Sequence, residues 1–239
     1  MEVLFTQLLR PRFDRIRAVR STAAPDTRRH RGDAMFRTML TAAGRPFQQP
    51  RDGRPATVYA WSEGEQFLFP PPVGTRRHYL VLEMADLDVL PELFGVGTVE
   101  FKAGSEFALL NRMLAFLAVL RARTGHPTLE RYTTVVRAVS WFVGRWGRDA
   151  GGVIFEVTGD VGGRVRREAV AVVGSDEGAR IPIVLAGIAV SEVLAGRLVQ
   201  PGVADLRTWV TEERLLTGLR ERGLTMWRRT DAEHWRPYE

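Results

Sequence analysis

The chain contains no cysteine and a single lysine, Lys102, among its 239 residues. The absence of cysteine excludes disulfides and thiolate metal ligands, and it is compatible with a reducing compartment. The 34 basic residues are almost all arginine, and together with 28 acidic residues they give a formal net charge of +6. Arginine with abundant alanine, glycine and valine has two interpretations: a G+C-rich coding sequence, or a surface for phosphates, nucleic acid or carboxylates. Composition alone leaves both open.

Long hydrophobic runs are also missing. The apolar run from Ile181 to Val190 is shorter than the roughly 20 residues that a membrane-spanning helix needs. At the N-terminus the apolar residues precede the charged ones, which is the reverse of a secretory signal peptide. We therefore expect a soluble, cytoplasmic protein with no membrane partner.

Several motifs that carry chemistry are absent. The only lysine is followed by Ala103, so there is no P-loop, and there is no Gly-x-Ser-x-Gly elbow. The four histidines are widely separated, so the sequence predicts no metal site. The nearest approach to a dinucleotide motif is Gly95-Val96-Gly97, which precedes a strand and lacks the third glycine. No cofactor-binding residue is therefore predicted.

A helix–turn–helix unit near the C-terminus organises the chain. Apolar residues recur at helical spacing from Ile183 to Leu198, after Pro182 in a position that suits a first turn. The segment 200–202 contains proline and glycine and breaks this helix. A second, amphipathic helix begins after the cap Thr211 and ends at Gly223.

The rest of the chain alternates between strand and helix signals. The aromatic residues of the two long helices, including Trp141 and Phe142, recur at helical spacing, which predicts core packing and no base-stacking platform, so we expect no nucleic-acid partner. In the first half of the chain, the predicted elements are a strand over 13–21, a loop over 23–32, a helix from Asp33 to Gly44, a hairpin of 57–61 with 66–69, a strand over 77–83, a helix over 86–94 and a strand over 98–101. Two long helices, capped by Ser105 and Thr128, follow. The last predicted elements are a hairpin of 153–157 with 164–173 and a strand over 224–228.

These elements predict an α+β fold. The sheet is mixed and largely antiparallel, from the strands near residues 57, 66, 77, 98, 153 and 165, and it is covered mainly on one face by the helices that begin near residues 105, 128 and 181. The other face and the sheet edges would be open to another subunit or domain. We divide the chain into an arginine-rich entry segment (1–50), the main domain (51–225) and a polar tail (226–239).

The order of these pieces resembles the C-terminal half of the saccharopine dehydrogenase-like NAD(P)-dependent reductases. The resemblance covers residues from about 10 to 225, and in that family a nucleotide-binding half normally comes first. The residues that carry it are Arg31-Gly32; Gly74, Arg76, Arg77, Tyr79, Leu90-Pro91 and Gly95-Val96; Val157, Gly159 and Gly163; and Gly202-Val203, Trp209 and Leu219 to Gly223.

The resemblance implies a substrate-binding and dimerisation domain. Its implied reaction is hydride transfer between NAD(P)H and an imine or secondary amine derived from amino acids. The NAD(P) would be held by a separate or missing Rossmann-domain partner, and the chain itself would form a homodimer. The alternative is a non-catalytic interaction or relic domain of the same fold.

Five residues are candidates under the enzymatic interpretation. Arg31, Arg76 and Arg77 would bind substrate carboxylates, and His78 and Lys102 would be the catalytic acid–base groups. Each also has a structural explanation, because surface arginines are usually solvated and a histidine within a strand is often half-buried core. The rarity of lysine here is weak support for Lys102.

Overall fold

The computed structural model describes residues 1–26, 28, 32–81, 84–125, 128–175, 181, 183–198, 202, 205–231 and 233–238. Within them, the strands are β1 (Arg15–Ala24), β2 (Pro46–Arg51), β3 (Arg54–Tyr59), β4 (Glu65–Leu68), β5 (Thr75–Leu80), β6 (Thr98–Ala103), β7 (Ala150–Val161), β8 (Arg164–Ser175), β9 (Thr225–Thr230) and β10 (Arg236–Pro237). The helices are α1 (Glu2–Leu9), α2 (Asp33–Ala42), α3 (Asp86–Phe94), α4 (Ala108–Thr124), α5 (Thr133–Gly144), α6 (Val184–Leu194), α7 (Leu206–Trp209) and α8 (Glu212–Arg220).

Eight strands form one curled, mixed sheet in the order β10-β9-β8-β7-β1-β6-β5-β4. β1 lies at its centre, parallel to β6 and antiparallel to β7, and the other neighbouring pairs are antiparallel. The α+β prediction is confirmed. The central position of β1 and the pairing of β9 with β8 mean that all three predicted segments contribute strands to this sheet.

The β7–β8 hairpin contains the two longest strands. Gly162 and Gly163 form its turn with φ values of 56° and 77°, a conformation that glycine adopts without strain. The predicted hairpin is confirmed, but the turn is shorter than predicted, since Gly159 still pairs with Arg166 inside the ladder.

The predicted hairpin of 57–61 with 66–69 is wrong. β3 pairs with β2 in a separate two-stranded sheet, while β4 pairs with β5. The sequence did not indicate β2 because Pro46 and Pro50 argue against a strand, but β2 has a single neighbour and an edge strand tolerates proline. After β3, Trp61 turns the chain with a positive φ of 65° and donates its backbone N–H to the carbonyl of Leu80. That turn separates β3 from β4.

One face of the central strands is covered by four helices, α1, α3, α6 and α8. Phe5 of α1 is fully buried and stacks on Phe155 of β7, with ring centroids 4.3 Å apart. Burying one such side chain contributes about 1.5–3 kcal/mol. Leu90 of α3 and Leu219 of α8 are buried in the same cluster. Helix α1 was not predicted.

The C-terminal helices confirm much of the predicted unit. α6 begins at Val184, while Pro182 lies outside the described residues. α8 begins after Thr211, whose hydroxyl accepts a hydrogen bond from the backbone N–H of Arg214 at 3.2 Å. The predicted cap therefore stabilises the first turn.

The two long helices predicted after Ser105 and Thr128 lie at the β5 end of the sheet instead of over its centre. α4 packs on β5, and α5 packs mainly on α2. Trp141 and Phe142 are 50% and 55% exposed, so the prediction that they belong to the core is wrong. Val136 is the buried residue of α5. None of the described helices is both long and apolar enough to cross a bilayer.

The opposite face of the sheet is not open as predicted, because the curl folds the sheet over it. The indole N–H of Trp235, near the last strand, donates a hydrogen bond to the carbonyl of Leu68 on β4 at 2.8 Å. Phe69 and Val73 from the β4–β5 connection pack against Ile154 on this inner face. The inner face is therefore an enclosed environment, and it carries the polar residues described next.

Candidate functional site

Three of the five predicted site residues share the inner face of the sheet. Leu80 on β5 pairs with Lys102 on β6, and alternate residues of a strand share a face, so Arg76 and His78 lie on the same side as Lys102. Arg77 points the other way, where it donates to the carbonyl of Gly64 at 3.1 Å. Arg31 lies outside the described residues.

His78 is completely buried and neutral. Its Nδ1 lies 2.5 Å from the hydroxyl of Thr22, and its ring lies between Phe67 and Phe69. Its Nε2 has no hydrogen-bond partner among the described residues. Burial, reinforced by the nearby charge of Arg76, lowers the pKa of His78 to about 3. Arg76 is itself buried, with its Nη1 3.2 Å from Glu106.

Lys102 belongs to a chain of ion pairs that we call the charged belt: Arg20, Glu65, Glu100, Lys102, Glu156, Arg167 and Arg229. The Lys102 ammonium lies 2.7 Å from Glu65 and 3.0 Å from Glu100. Arg20 also donates to both carboxylates. Burial acts to raise the pKa of Glu65, but the hydrogen bonds from Lys102 and Arg20 outweigh it and lower that pKa. Lys102 is therefore held by carboxylates.

The other end of the charged belt is centred on Glu156 of β7, which is buried. Its carboxylate lies 3.6 Å from Arg20, 3.5 Å from Arg167 and 3.7 Å from Arg229. Sequence reasoning missed all the carboxylates of the belt. A signal was present in β7, because Glu156 interrupts the apolar run 153–157 and a charge inside such a run indicates a buried partner.

A large cavity lies on the other side of β5, between the helices α2, α4 and α5. Its volume is about 1230 Å³, which exceeds the range of roughly 300–1,000 Å³ typical of small-molecule sites. It extends to the carboxyl ends of the parallel strands β1 and β6, where Pro25 and Gly104 line it. Most of its wall is apolar, including Met35, Phe36, Trp61, Leu110 and Leu114.

Asn111 fixes the floor of this cavity. Its amide Nδ2 donates to the carbonyls of Arg77 at 3.0 Å and Ser105 at 2.8 Å, and its Oδ1 accepts from the backbone N–H and the hydroxyl of Ser105. Ser105 was predicted to cap α4, and this is wrong, because the cap position is Phe107 and the Ser105 hydroxyl is bonded to Asn111. The buried amide therefore ties the β6–α4 connection to β5.

Gly104 separates the cavity from His78. A Cβ atom at this position would lie 2.5 Å from the carbonyl oxygen of Arg77 and 2.8 Å from Cδ2 of His78. Only glycine fits so close to that backbone. Gly104 thus lies between His78 and the cavity, and neither His78 nor Lys102 lines the cavity.

Among the described residues, three arginines line the same cavity, namely Arg28, Arg137 and Arg145. Nη1 of Arg137 donates to both carboxylate oxygens of Asp33, at 2.7 and 2.9 Å. The guanidinium of Arg145 lies over the ring of Trp141, 4.2 Å from its centroid. Arginine beside an apolar wall suits a ligand that combines a carboxylate with an apolar part.

Sequence reasoning did not identify this cavity. The available signal was Asn111, a polar residue between Leu110 and Leu114 on the apolar side of α4. The arginines of the cavity could not be separated from the other arginines of the chain without the packing of α5 on α2.

The described residues contain no group of three or more histidine, aspartate or glutamate side chains arranged to hold a metal ion. No protein-family model matches the chain, and no curated protein matches it. The description of the fold and the cavity therefore rests on the structure alone.

Proposed function

We propose that the chain is the substrate-binding and dimerisation part of a saccharopine dehydrogenase-like oxidoreductase. It would act on an imine or secondary amine derived from amino acids, as a cytoplasmic homodimer, together with a separate or missing Rossmann domain. The observation that carries the proposal is the cavity at the carboxyl ends of the parallel strands β1 and β6. In open α/β sheets, ligands bind outside the carboxyl ends of the parallel strands, and β1 and β6 form the parallel pair of this mixed sheet.

The chemistry of the cavity supports a role in substrate binding. The apolar part of the substrate would pack against Phe36 and Leu114, and its carboxylate would bind Arg137 or Arg145. When bound by the partner domain, NAD(P)H supplies the hydride. The chain would orient the substrate and exclude water from it.

The predicted acid–base roles of His78 and Lys102 require a rearrangement that exposes them. A positioning role requires none, because the His78 ring already supports the wall of the cavity at Gly104. Arg76, predicted to bind substrate, would act on His78 through its charge.

A non-catalytic interaction or relic domain is the second candidate. The observation that favours it is the enclosure of His78 and the pairing of Lys102 with two carboxylates. A domain that had lost catalysis could keep both as structural groups.

A pull-down with the tagged chain from the native cell extract tests the proposal. We expect recovery of a Rossmann-domain protein, and binding of NADPH by the complex but not by the chain alone, measured by nicotinamide fluorescence. Recovery of a self-associated chain with no nucleotide-binding partner would favour the interaction domain instead.

A further inference from the structure

The helices α4 and α5 lie in a strongly basic segment of the chain. Residues 108–148, which include α4 and α5, contain seven arginines and one acidic residue, Glu130. The segment therefore carries an excess of six positive charges, as do residues 1–50, which contain ten arginines and four acidic residues.

Several of these arginines are not neutralised locally. Arg112, Arg123, Arg131 and Arg145 are exposed, and in the part of the chain that the structure describes none has a carboxylate within ion-pair distance. Two others are paired across elements: Arg137 with Asp33, and Arg148 with Glu106 at 3.5 Å. The surface therefore retains a positive charge after its ion pairs are counted.

The same segment exposes an apolar surface. Along α5 and the turn that follows it, the apolar residues at helical spacing that are 37–66% exposed are Val135, Val139, Phe142 and Trp146. Phe142 and Trp146 pack edge to face, with centroids 5.0 Å apart. On α4, Leu109 and Phe116 are also exposed. Both helices line the same cavity, and we call the exposed apolar residues and arginines of the segment 108–148 the hairpin surface. Contiguous apolar residues on a surface helix indicate a binding partner.

We propose that the hairpin surface docks onto the surface of an anionic lipid bilayer. A bilayer accepts both features at once: tryptophan and phenylalanine enter the interfacial region, while arginines bind the headgroups. A second copy of the chain would bring two surfaces of equal positive charge together, which opposes association. A nucleic acid would leave the aliphatic residues Leu109, Val135 and Val139 exposed to water.

This proposal does not rest on the proposed enzymatic function, although Arg145 also lines the cavity, and it revises the expectation of no membrane partner. That expectation was based on the lack of a spanning segment, whereas a helix that lies on a bilayer needs only an apolar face and basic flanks.

Vesicle co-sedimentation of the full chain tests the proposal, with vesicles of phosphatidylcholine alone or mixed with phosphatidylserine. We expect binding to the mixed vesicles only. The triple variant Arg112→Gln, Arg123→Gln, Arg145→Gln should weaken it on the order of 100-fold, from the usual contribution of one basic residue at an anionic surface. The double variant Phe142→Ser, Trp146→Ser should also weaken it, by about tenfold or more.

Matched variants control for charge and apolarity elsewhere. The triple Arg54→Gln, Arg164→Gln, Arg220→Gln removes the same charge from other exposed sites, and Val165→Ser with Leu194→Ser removes exposed apolar side chains. Both should bind vesicles within about twofold of the unmodified chain. Circular dichroism and thermal melting check that each variant folds.

Three results would overturn the proposal. The first is no sedimentation with phosphatidylserine vesicles, and the second is an equal loss of binding in the control variants. The third is a chain that does not bind vesicles and is a dimer in sedimentation velocity, which the double variant converts to monomer. That result would assign the hairpin surface to a second copy.

Discussion

The protonation of His78 makes the free energy of unfolding depend on pH. Its folded-state pKa of about 3 lies below the ordinary value of 6.5, so as the pH falls the unfolded chain binds the proton first. The stabilisation from neutral His78 is present above pH 6.5 and is lost as the pH falls toward 3. We expect this residue to reduce the free energy of unfolding by about 1.4 kcal/mol per pH unit within that window.

Urea denaturation between pH 6 and pH 4.5 measures this loss. The His78→Phe variant keeps the ring volume without the titrating group, so its free energy of unfolding should fall less steeply with acid than that of the unmodified chain. Parallel slopes for the two proteins would show that His78 is protonated in the folded state.

Glu156 lies within ion-pair distance of three guanidinium groups, and its loss should destabilise the fold. The Glu156→Gln change leaves Arg20 and the half-buried Arg229 without this anion. Breaking a buried ion pair from one side typically costs about 3–5 kcal/mol, and we expect a value near the lower end because Arg167 is half exposed.

The matched control for this prediction is Glu63→Gln, which removes the pair of Glu63 with Arg51 at 2.6 Å on the surface. An exposed pair contributes about 0–1 kcal/mol. Equal destabilisation by the two changes in chemical denaturation would contradict the account of the charged belt.

Single residues also mark the limit of prediction from sequence. The alternation of β5 could place Arg76 and His78 on one face, and the structure adds Lys102 to that face. The carboxylates that pair with Lys102 could not be predicted. Glu65 pairs with it from β4, and the pairing of distant strands cannot be deduced from the local sequence.

At the scale of elements, the β6–α4 connection depends on Gly104. We expect Gly104→Ala to destabilise the fold by about 1–3 kcal/mol, because its Cβ would press on the Arg77 backbone, which cannot move without disturbing β5. Thermal denaturation measures this, and Gly32→Ala is the control, since a Cβ there has no neighbour within 4 Å. Equal melting temperatures for the two variants would show that the wall of the cavity is easily displaced.

Elements with strong local signals were predicted well. The bounds of α3 match the structure, and its C-terminal Gly95 adopts the left-handed conformation expected of such an end. Elements defined by distant partners were not: β2 forms through pairing with β3 despite its prolines, and α5 has an apolar sequence typical of a core helix but packs mainly on α2.

At the scale of the whole molecule, the curl of the sheet decides what is enclosed. The contact of Trp235 with Leu68 joins residues that are 167 positions apart, and no sequence pattern indicates it. The α+β class follows from the order of elements, but the enclosure of the inner face and the cavity under α5 follow from packing.

The cavity provides the most direct test of the account. Ala138 of α5 lines it, whereas the adjacent Val139 does not. With the complex of the chain and its nucleotide-binding partner, NADPH oxidation in the presence of amino-acid and oxo-acid pairs should have a kcat/KM at least about tenfold lower for Ala138→Trp, because the new side chain occupies the substrate space. Val139→Trp should leave it within about twofold. Turnover unaffected by Ala138→Trp, or no turnover in a complex that binds NADPH, would contradict the assignment of the cavity as the substrate site.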